Sequence, residues 1–463
     1  MSLKKKLEGL SFYNTVVKPV HFVRAVAAGV RYRFPARKLR VIGVTGTNGK
    51  TTTCFMIWKM LNESGRKAGL MTTVAWGYKK LHNELNHMTT VDSKTLNKRI
   101  ETISRAGAKY LVLEVTSHAM EQFRTLGVPV EIAVFTNLTH EHLDYHKTME
   151  RYKRAKCKLF KKAKFGVVNA DDKHAKAFMK ASKQYITYGI KNGKVRGKDV
   201  KLSPEGVEYA CGDMKIKTKI PGEFNVYNSL AAVAVGQKLE LSDKEIEKGI
   251  LALESVEGRM TRVDEGQDFT VIVDYAHTPD ALEKVFKAIG EVPGKVISVH
   301  GGAGRRDETT RAERGEILGK NSDVVIITED DSRDENPEKI AARFVAGAEK
   351  AGKRKGKDLA VVLDREEAIA MAVKVARRGD VVLLLGKGHE KTILRGDGAY
   401  EFEDIKVARK YLRKKVKEIE MKREAEERAK KLKEEVERKE AERKKKEEDK
   451  YGNITEYGVG TSL

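Results

Sequence analysis

From residue 39 onward the chain alternates short apolar runs with stretches whose apolar residues recur every three or four positions. The apolar runs are Leu39–Thr45, Tyr110–Val115, Ile132–Thr136 and Phe165–Asn169. Helical spacing fills the intervals near 49–63, 93–106 and 149–164. Strands joined by crossovers of that length predict a parallel sheet covered by helices. Residues 185–220 break this rhythm. They are short, glycine-interrupted and β-like (Tyr185-Ile-Thr-Tyr188, Val207–Ala210, Met214–Ile220) and predict a small antiparallel addition.

A second alternating series follows, with strands expected at Phe269–Val273, Lys295–Val299, Val324–Thr328, Leu359–Leu363 and Val381–Leu385. It predicts a separate Rossmann-like α/β domain. The pattern changes again at both ends. In the leader, Val20-His-Phe-Val-Arg-Ala-Val-Ala-Ala28 reads as one amphipathic helix. Residues 406–450 are mostly Lys, Arg and Glu, with a thin alanine-diluted stripe through Leu412, Val416, Ile419, Leu432 and Val436. That predicts a solvated helix rather than a coiled coil, and Tyr451 to Leu463 is expected to be disordered. The expected units are a leader at 1–38, a central α/β domain at 39–257, a C-terminal α/β domain at 258–405 and a charged tail at 406–463.

Composition narrows the class. A chain of 463 residues, 40% of them hydrophobic, can fill two or three cores. Its three cysteines lie far apart, which argues for a reducing, cytoplasmic compartment and against a disulfide scaffold or structural zinc. No run of about eighteen apolar residues occurs, so no membrane span is expected. The formal charge is +24. Such a surface can attract nucleic acid, anionic membrane or polyanions. No nucleic-acid module accompanies it, so nucleic acid is not an expected partner.

Chemistry enters at Val41-Ile-Gly-Val-Thr-Gly-Thr-Asn-Gly-Lys-Thr-Thr-Thr53. A strand breaks into a glycine turn and continues as a helix. Gly46 and Gly49 let backbone N–H groups converge on phosphate oxygens, and the helix N-terminus adds its dipole. Lys50 supplies a full charge, and the Thr51 hydroxyl can ligate Mg²⁺. Val44 stands where the strict phosphate-loop pattern wants glycine.

Three further clusters follow. Glu114 ends an apolar strand in Leu113-Glu-Val-Thr-Ser-His118. Phe135-Thr-Asn-Leu-Thr-His-Glu-His-Leu-Asp-Tyr-His146 crowds three histidines and two acids at another strand end. Alone its spacing also fits zinc; beside a phosphate loop, Mg²⁺ held by a carboxylate and one imidazole is the better account. In Met149–Phe160 nothing in composition separates Lys156 from Lys153 or Lys158.

Taken in order, these motifs resemble the Mur ligases, the ATP-dependent amide-forming enzymes of peptidoglycan synthesis, and their folyl-polyglutamate relatives. The phosphate loop, E-V-T-S-H, T-N-L-T-H-E-H-L-D-Y-H and Y-K-R-A-K-C-K-L-F are similar to the branch that adds the third amino acid to UDP-MurNAc-dipeptide. The resemblance implies nucleotide contacts from Gly46, Thr47, Asn48, Gly49, Lys50, Thr51 and Thr52. It implies metal binding by Thr51, Glu114 and His142, and a carbamylated Lys156 holding a second Mg²⁺. Glu141 replaces the usual Asp. Thr89, Thr90, Thr116, Gln122 and Arg124 fall where the family contacts its muramyl substrate.

The matches continue downstream. Gly222-Glu-Phe-Asn-Val-Tyr-Asn228 carries Asn225 and Asn228, three apart and so on one helix face; the resemblance puts both near the nucleotide. It has Arg259 reach the phosphates and places Asp274 and His277 at the closing interface. Arg311, Asp330, Asp331, Arg333, Gly386 and Glu390 fall where the family binds the incoming amino acid. Arg333 suits the distal carboxylate of diaminopimelate, while Asp331-Ser332 replaces the usual Asn-Pro. Family members usually carry an N-terminal UDP-binding domain, of which residues 1–38 would be a remnant.

The implied activity is addition of a diamino acid to UDP-MurNAc-L-Ala-D-Glu through an acyl-phosphate, with ATP and Mg²⁺. Two alternatives stand beside it. One is a related ligase with a polyglutamate or lipid-linked acceptor. The other is a non-catalytic nucleotide-binding assembly protein. The chain is expected to be monomeric, with its tail free to contact another protein.

Overall fold

The computed structural model describes residues 11–84, 88–203, 205–306 and 308–452. Two α/β domains carry the molecule. The first is built on nine strands: β1 Arg40–Thr45, β2 Ala68–Met71, β3 Ala75–Tyr78, β4 Lys80–Asn83, β5 Tyr110–Glu114, β6 Val130–Phe135, β7 Phe165–Asn169, β8 Tyr185–Gly189 and β9 Val195–Arg196. Their order is β4-β3-β2-β5-β1-β6-β7-β8-β9. β1 sits between β5 and β6, parallel to both, with Val44 opposite Glu114 and Thr45 opposite Phe135. Its five last residues are buried, as a strand covered by helices on both faces must be. That register delivers the ends of β1, β5 and β6 to one edge of the sheet, at the point where strand order reverses. Open α/β sheets bind ligands there.

One expectation is corrected here. Tyr185–Tyr188 is not part of the antiparallel addition: β8 pairs parallel to β7. The addition is three-stranded, from β10 Lys198–Ser203, β11 Gly206–Cys211 and β12 Met214–Thr218. The hairpin β3–β4, antiparallel at the sheet edge, was not foreseen. Its strands are four residues each and mix Trp76, Tyr78 and His82 with lysines, so no alternation marks them.

The second domain has strands β13 Thr261–Val263, β14 Thr270–Asp274, β15 Val296–Gly302, β16 Val324–Glu329, β17 Leu359–Val361 and β18 Val381–Leu385, ordered β13-β14-β18-β15-β16-β17. All pairings are parallel except that of the edge strand β13. A hairpin, β19 Thr392–Arg395 with β20 Gly398–Glu401, follows. The domains share packing. One apolar cluster runs from Met56 and Met60 under the phosphate loop, through Leu230 and Val233, to Leu282, Phe286 and Leu383.

The leader forms a helix, Ser11–Arg31, longer than its periodicity implied. The tail is one helix, Asp404–Gly452. Its first turns are not tail at all. Val407, Ala408 and Leu412 are buried in the second domain's core beside Ile369 and Val373. Asp404 is fully buried against Arg365, whose Nε and Nη2 donate to its carboxylate at 2.7 and 2.8 Å. From 421 to 448 every residue is exposed. Opposite charges four apart line that stretch, as in Glu424–Arg428, Lys430–Glu434 and Arg443–Glu447. The end expected to be disordered lies, from residue 453, outside the described residues.

Candidate active site

The phosphate loop folds as its glycines require. Gly49 caps the helix Lys50–Glu63 at φ +79°, and a Cβ there would strike Asn228 Oδ1 at 2.3 Å. A Cβ on Gly46 would collide with Thr136 Oγ1. The loop is pinned by its neighbours. Thr136 Oγ1 and Asn137 Nδ2 donate to the Asn48 carbonyl at 2.7 and 3.0 Å, and Asn48 N donates to Asn137 Oδ1 at 2.9 Å. Thr47 Oγ1 lies 3.2 Å from the Tyr152 hydroxyl. Lys50 Nζ donates to the Thr47 carbonyl at 2.6 Å, and the residue is half-buried.

The metal-binding candidates converge on this loop. Thr51 Oγ1 donates to Glu114 Oε2 at 2.9 Å, and Thr73 N donates to the same oxygen at 3.1 Å. Lys156 is buried and donates to the Gly46 carbonyl at 2.6 Å, with its Nζ 4.6 Å from the centre of the Tyr152 ring. Burial, and then the neighbouring Lys50 charge, push its pKa well below the ordinary lysine value. Lys153 and Lys158, which composition could not separate from it, pair with Glu150 and Glu121 instead. His142 sits in the left-handed region at φ +56°. Burial lowers its pKa to about 4. Its ring meets His118 edge-on at 4.8 Å, and His118 contacts Tyr145 and His146 in turn. Glu141 spans the domains. It accepts from Tyr152 OH at 3.3 Å and lies 3.2 Å from His277 Nε2, which belongs to the second domain.

A cleft of about 630 Å³ opens beside the loop. Asn48, Gly49, Thr52, Asn225 and Asn228 line it from one domain, and Arg259, Asp274 and His277 from the other. Its volume suits a nucleotide-sized ligand. Several expected contacts have structural partners of their own. Asn228 Nδ2 donates to Asn225 Oδ1 at 2.8 Å, and Asn228 Oδ1 accepts from Thr53 Oγ1 at 3.2 Å. The pair therefore braces the helix Glu223–Lys238 against the loop. Asp274 accepts from the Met260 and Ala276 amides at 2.7 and 2.8 Å, so its carboxylate shapes the turn that carries Arg259. Arg259 Nη2 reaches Thr51 Oγ1 at 3.3 Å and its guanidinium stacks over Tyr275.

Thr89, Thr90, Thr116, Gln122 and Arg124 form one neighbourhood on the other side of Glu114. Thr89 Oγ1 donates to Thr73 Oγ1 at 3.2 Å. Thr90 Oγ1 donates to the Glu114 carbonyl and accepts from Thr116 N, at 2.9 and 3.0 Å. Arg124 donates to the Thr90 carbonyl and, at 2.6 Å, to Gln122 Oε1.

In the second domain, three of the expected amino-acid residues, Asp330, Asp331 and Glu390, meet around a side chain the sequence did not single out. Lys387 is fully buried, and its Nζ donates to Asp331 at 2.8 Å, Glu390 at 2.9 Å and Asp330 at 3.2 Å. Gly386 approaches Asp330 so closely that a Cβ would sit 3.4 Å from its Oδ2. Arg333 lies at φ +55°, with Nη1 on the Gly304 carbonyl at 3.1 Å. Arg311 is buried and gives both terminal nitrogens to Glu335, at 2.5 and 2.8 Å. It fastens the 303–335 loops together rather than presenting an open fork. Two more residues were missed. Asp280 accepts from Asn48 Nδ2 at 2.6 Å across the domain junction. Arg306, exposed, lies where its charge lowers the pKa of His118 and His142 in one domain and of Tyr275 and Arg333 in the other.

Known proteins share this arrangement. The Mur ligase middle domain matches residues 44–236, and the Mur ligase glutamate ligase domain matches residues 258–388. The UDP-N-acetylmuramoyl-L-alanyl-D-glutamate–2,6-diaminopimelate ligase 1 of Clostridium acetobutylicum is 40% identical, over 84% of this chain and 81% of its own length. The chain belongs to the Mur ligase family. A UDP-N-acetylmuramyl-tripeptide synthetase of Roseiflexus is also 40% identical, over 84% of this chain and 81% of its own. Among solved structures, a UDP-N-acetylmuramoyl-L-alanyl-D-glutamate–2,6-diaminopimelate ligase superposes with a TM-score of 0.57 at 30% identity, covering 82% of this chain and 79% of its own. The expected family and α/β class are both met. Among the described residues no helix is long and apolar enough to cross a membrane.

Proposed function

We propose that this Mur ligase joins meso-diaminopimelate to UDP-MurNAc-L-Ala-D-Glu at the expense of ATP. The observation that carries the reading is the cluster at the phosphate loop, beside the cleft, where Lys50, the Thr51–Glu114 pair and the buried amine of Lys156 meet. ATP lies with its phosphates on the loop, and Lys50 swings from the Thr47 carbonyl onto them. Arg259 adds a second cation from the other domain.

The donor set suits Mg²⁺: a hydroxyl and a carboxylate in contact, with His142 nearby, are hard-ion ligands beside a phosphate loop. Bound there, the ion would offset charge on the transferring phosphoryl group. Thr51, Glu114 and His142 would hold it. Lys156 has its pKa lowered by burial, which favours its free amine. It can therefore add to CO₂, giving a carbamate and a proton, and so place a new carboxylate at the loop for a second ion.

The dipeptide's terminal carboxylate, positioned by Thr89, Thr90, Thr116, Gln122 and Arg124, attacks the γ-phosphorus and ADP departs. The amine of diaminopimelate then attacks the acyl carbon and phosphate leaves. Arg333 receives the far carboxylate of diaminopimelate, and Asp330, Asp331 and Glu390 face its far ammonium. Arg311 keeps their loops in place. Contacts of Asn48 with Asp280 and of Glu141 with His277 hold the domains closed, which keeps water from the acyl-phosphate.

The test is ADP release with UDP-MurNAc-L-Ala-D-Glu, scanning diaminopimelate, lysine and ornithine. Turnover is expected with diaminopimelate above the other two. Release that no amino acid stimulates would refute the reading, and a preference for lysine would reassign Arg333.

A further inference from the structure

The helix Ser11–Arg31 exposes an apolar stripe from Val20 to Val30. Val20, Val23, Val26 and Val30 recur at three- and four-residue intervals and so share one side. All four are exposed, Val23 to 63% and Val30 to 61%. The opposite side, through Ala25, Ala28 and Gly29, is the one buried on the protein. Phe22 is also exposed and meets Phe123 edge-on at 5.5 Å. Every charged residue from Ser11 to Lys38 is cationic: Lys18, Arg24, Arg31, Arg33, Arg37 and Lys38.

Charge elsewhere points the same way. The total is +24, yet from Val416 to Gly452 fourteen Lys and Arg stand against thirteen Asp and Glu. Nearly all of the positive excess therefore sits on the body that carries the valine face. A valine stripe edged with arginines fits the boundary between anionic headgroups and acyl chains.

We propose that this helix seats the protein peripherally on an anionic lipid surface, valine face down. The helix also adjoins the acceptor-binding neighbourhood. Lys18 pairs with Glu121 at 3.3 Å, and His21 lies close enough to Arg124 for that charge to lower its pKa. If Gln122 and Arg124 bind the acceptor as proposed above, lipid docking turns that mouth toward the membrane.

The test is sedimentation of the full chain with vesicles of phosphatidylcholine alone and of phosphatidylcholine with phosphatidylglycerol. Wild type should partition onto the anionic vesicles, and Val23→Asp with Val26→Asp should weaken this by roughly tenfold or more. Thermal melting and ADP release without lipid should be unchanged, since both positions are exposed. If the aspartate pair unfolds the chain, Val23→Ser with Val30→Ser should show the same direction of loss. Three outcomes would overturn the proposal. Wild type could bind anionic vesicles no better than neutral ones. The valine variants could bind as well as wild type. Or wild type could sediment as a dimer that the aspartate variant dissolves, which would assign the face to a second copy. None of these bears on whether the ligase reaction occurs.

Discussion

The two halves of the active site handle buried charge in opposite ways. In the central domain Lys156 is buried with a carbonyl and a ring beside it and Lys50 nearby, and its pKa is driven down. In the second domain Lys387 is buried among three carboxylates, and its pKa is driven up, beyond the ordinary lysine range, against the cost of desolvation. For the first lysine, burial outweighs the nearby carboxylates of Glu141 and Glu114. The second is spent on holding acids that would otherwise repel one another. In the function proposed above, the first lysine takes part in the chemistry and the second organises recognition.

This contrast can be broken most sharply at Lys156. Lys156→Ala should lower turnover about a thousandfold with the fold intact, a loss of the size given by removing a preorganised charge, and added bicarbonate should not restore it. Near-normal ADP release would end the carbamate assignment. Lys387→Met should act on stability instead, costing about 3–5 kcal/mol by urea denaturation because three acids lose their cation. Lys156→Met should be neutral or stabilising in the same measurement. Equal losses in both would show that the two lysines do not differ in kind.

Arg333→Ala should lower kcat/KM for diaminopimelate by about a hundredfold while barely changing lysine, within the about 2–5 kcal/mol expected of a broken arginine–carboxylate pair. An equal loss on both substrates would make Arg333 a loop fastener like Arg311. A smaller effect concerns acid. Burial lowers His118 to about 2 and His142 and His146 to about 4. Those values lie below the unfolded value of about 6.5. As pH falls below that value the unfolded chain takes up protons first, so stability should decline progressively from there toward pH 4. His118→Phe should flatten the slope of melting temperature against pH; an unchanged slope would show that the cluster does not titrate this way. Smallest of all, deleting 421–463 should leave ADP release within about twofold, as expected where only surface pairs are lost.

How much of this could be read from the chain depends on the reach of each constraint. The phosphate loop was legible because its physics is local. Gly46, Gly49, Lys50 and Thr51 are nearly contiguous, and each residue type answers to one backbone or charge requirement. Strands β1, β5, β6 and β7 of the first sheet and β14 to β18 of the second were legible for the same reason, since periodicity is a property of short windows. What failed was partner choice. Nothing near Lys387 in sequence reveals that Asp330 and Asp331 will close on it, and Arg311 looks like a free guanidinium until Glu335 is placed. Asp274, Asn225 and Asn228 stand in the motif, yet their side chains are engaged by amides and by each other. Tyr185–Tyr188 reads as β, but whether a strand extends an old sheet or starts a new one is settled by neighbours distant in sequence. The tail was read as an appendage from 406, whereas Val407, Ala408 and Leu412 complete a core.

The exposed part of the C-terminal helix has a mechanical consequence. A rod of 28 exposed residues, 421 to 448, extends about 40 Å at 1.5 Å per residue. Its balanced charges make its length insensitive to pH near neutrality. Projecting from the second domain, it acts as a drag arm: the molecule tumbles more slowly and elutes earlier than its 51.9 kDa would dictate. Gel filtration alone would therefore overstate the mass of a single chain. Because Asp404 and Leu412 root the rod in the core, any rocking of the second domain is magnified at its far end, where a pair of spectroscopic labels would read domain closure as a large displacement.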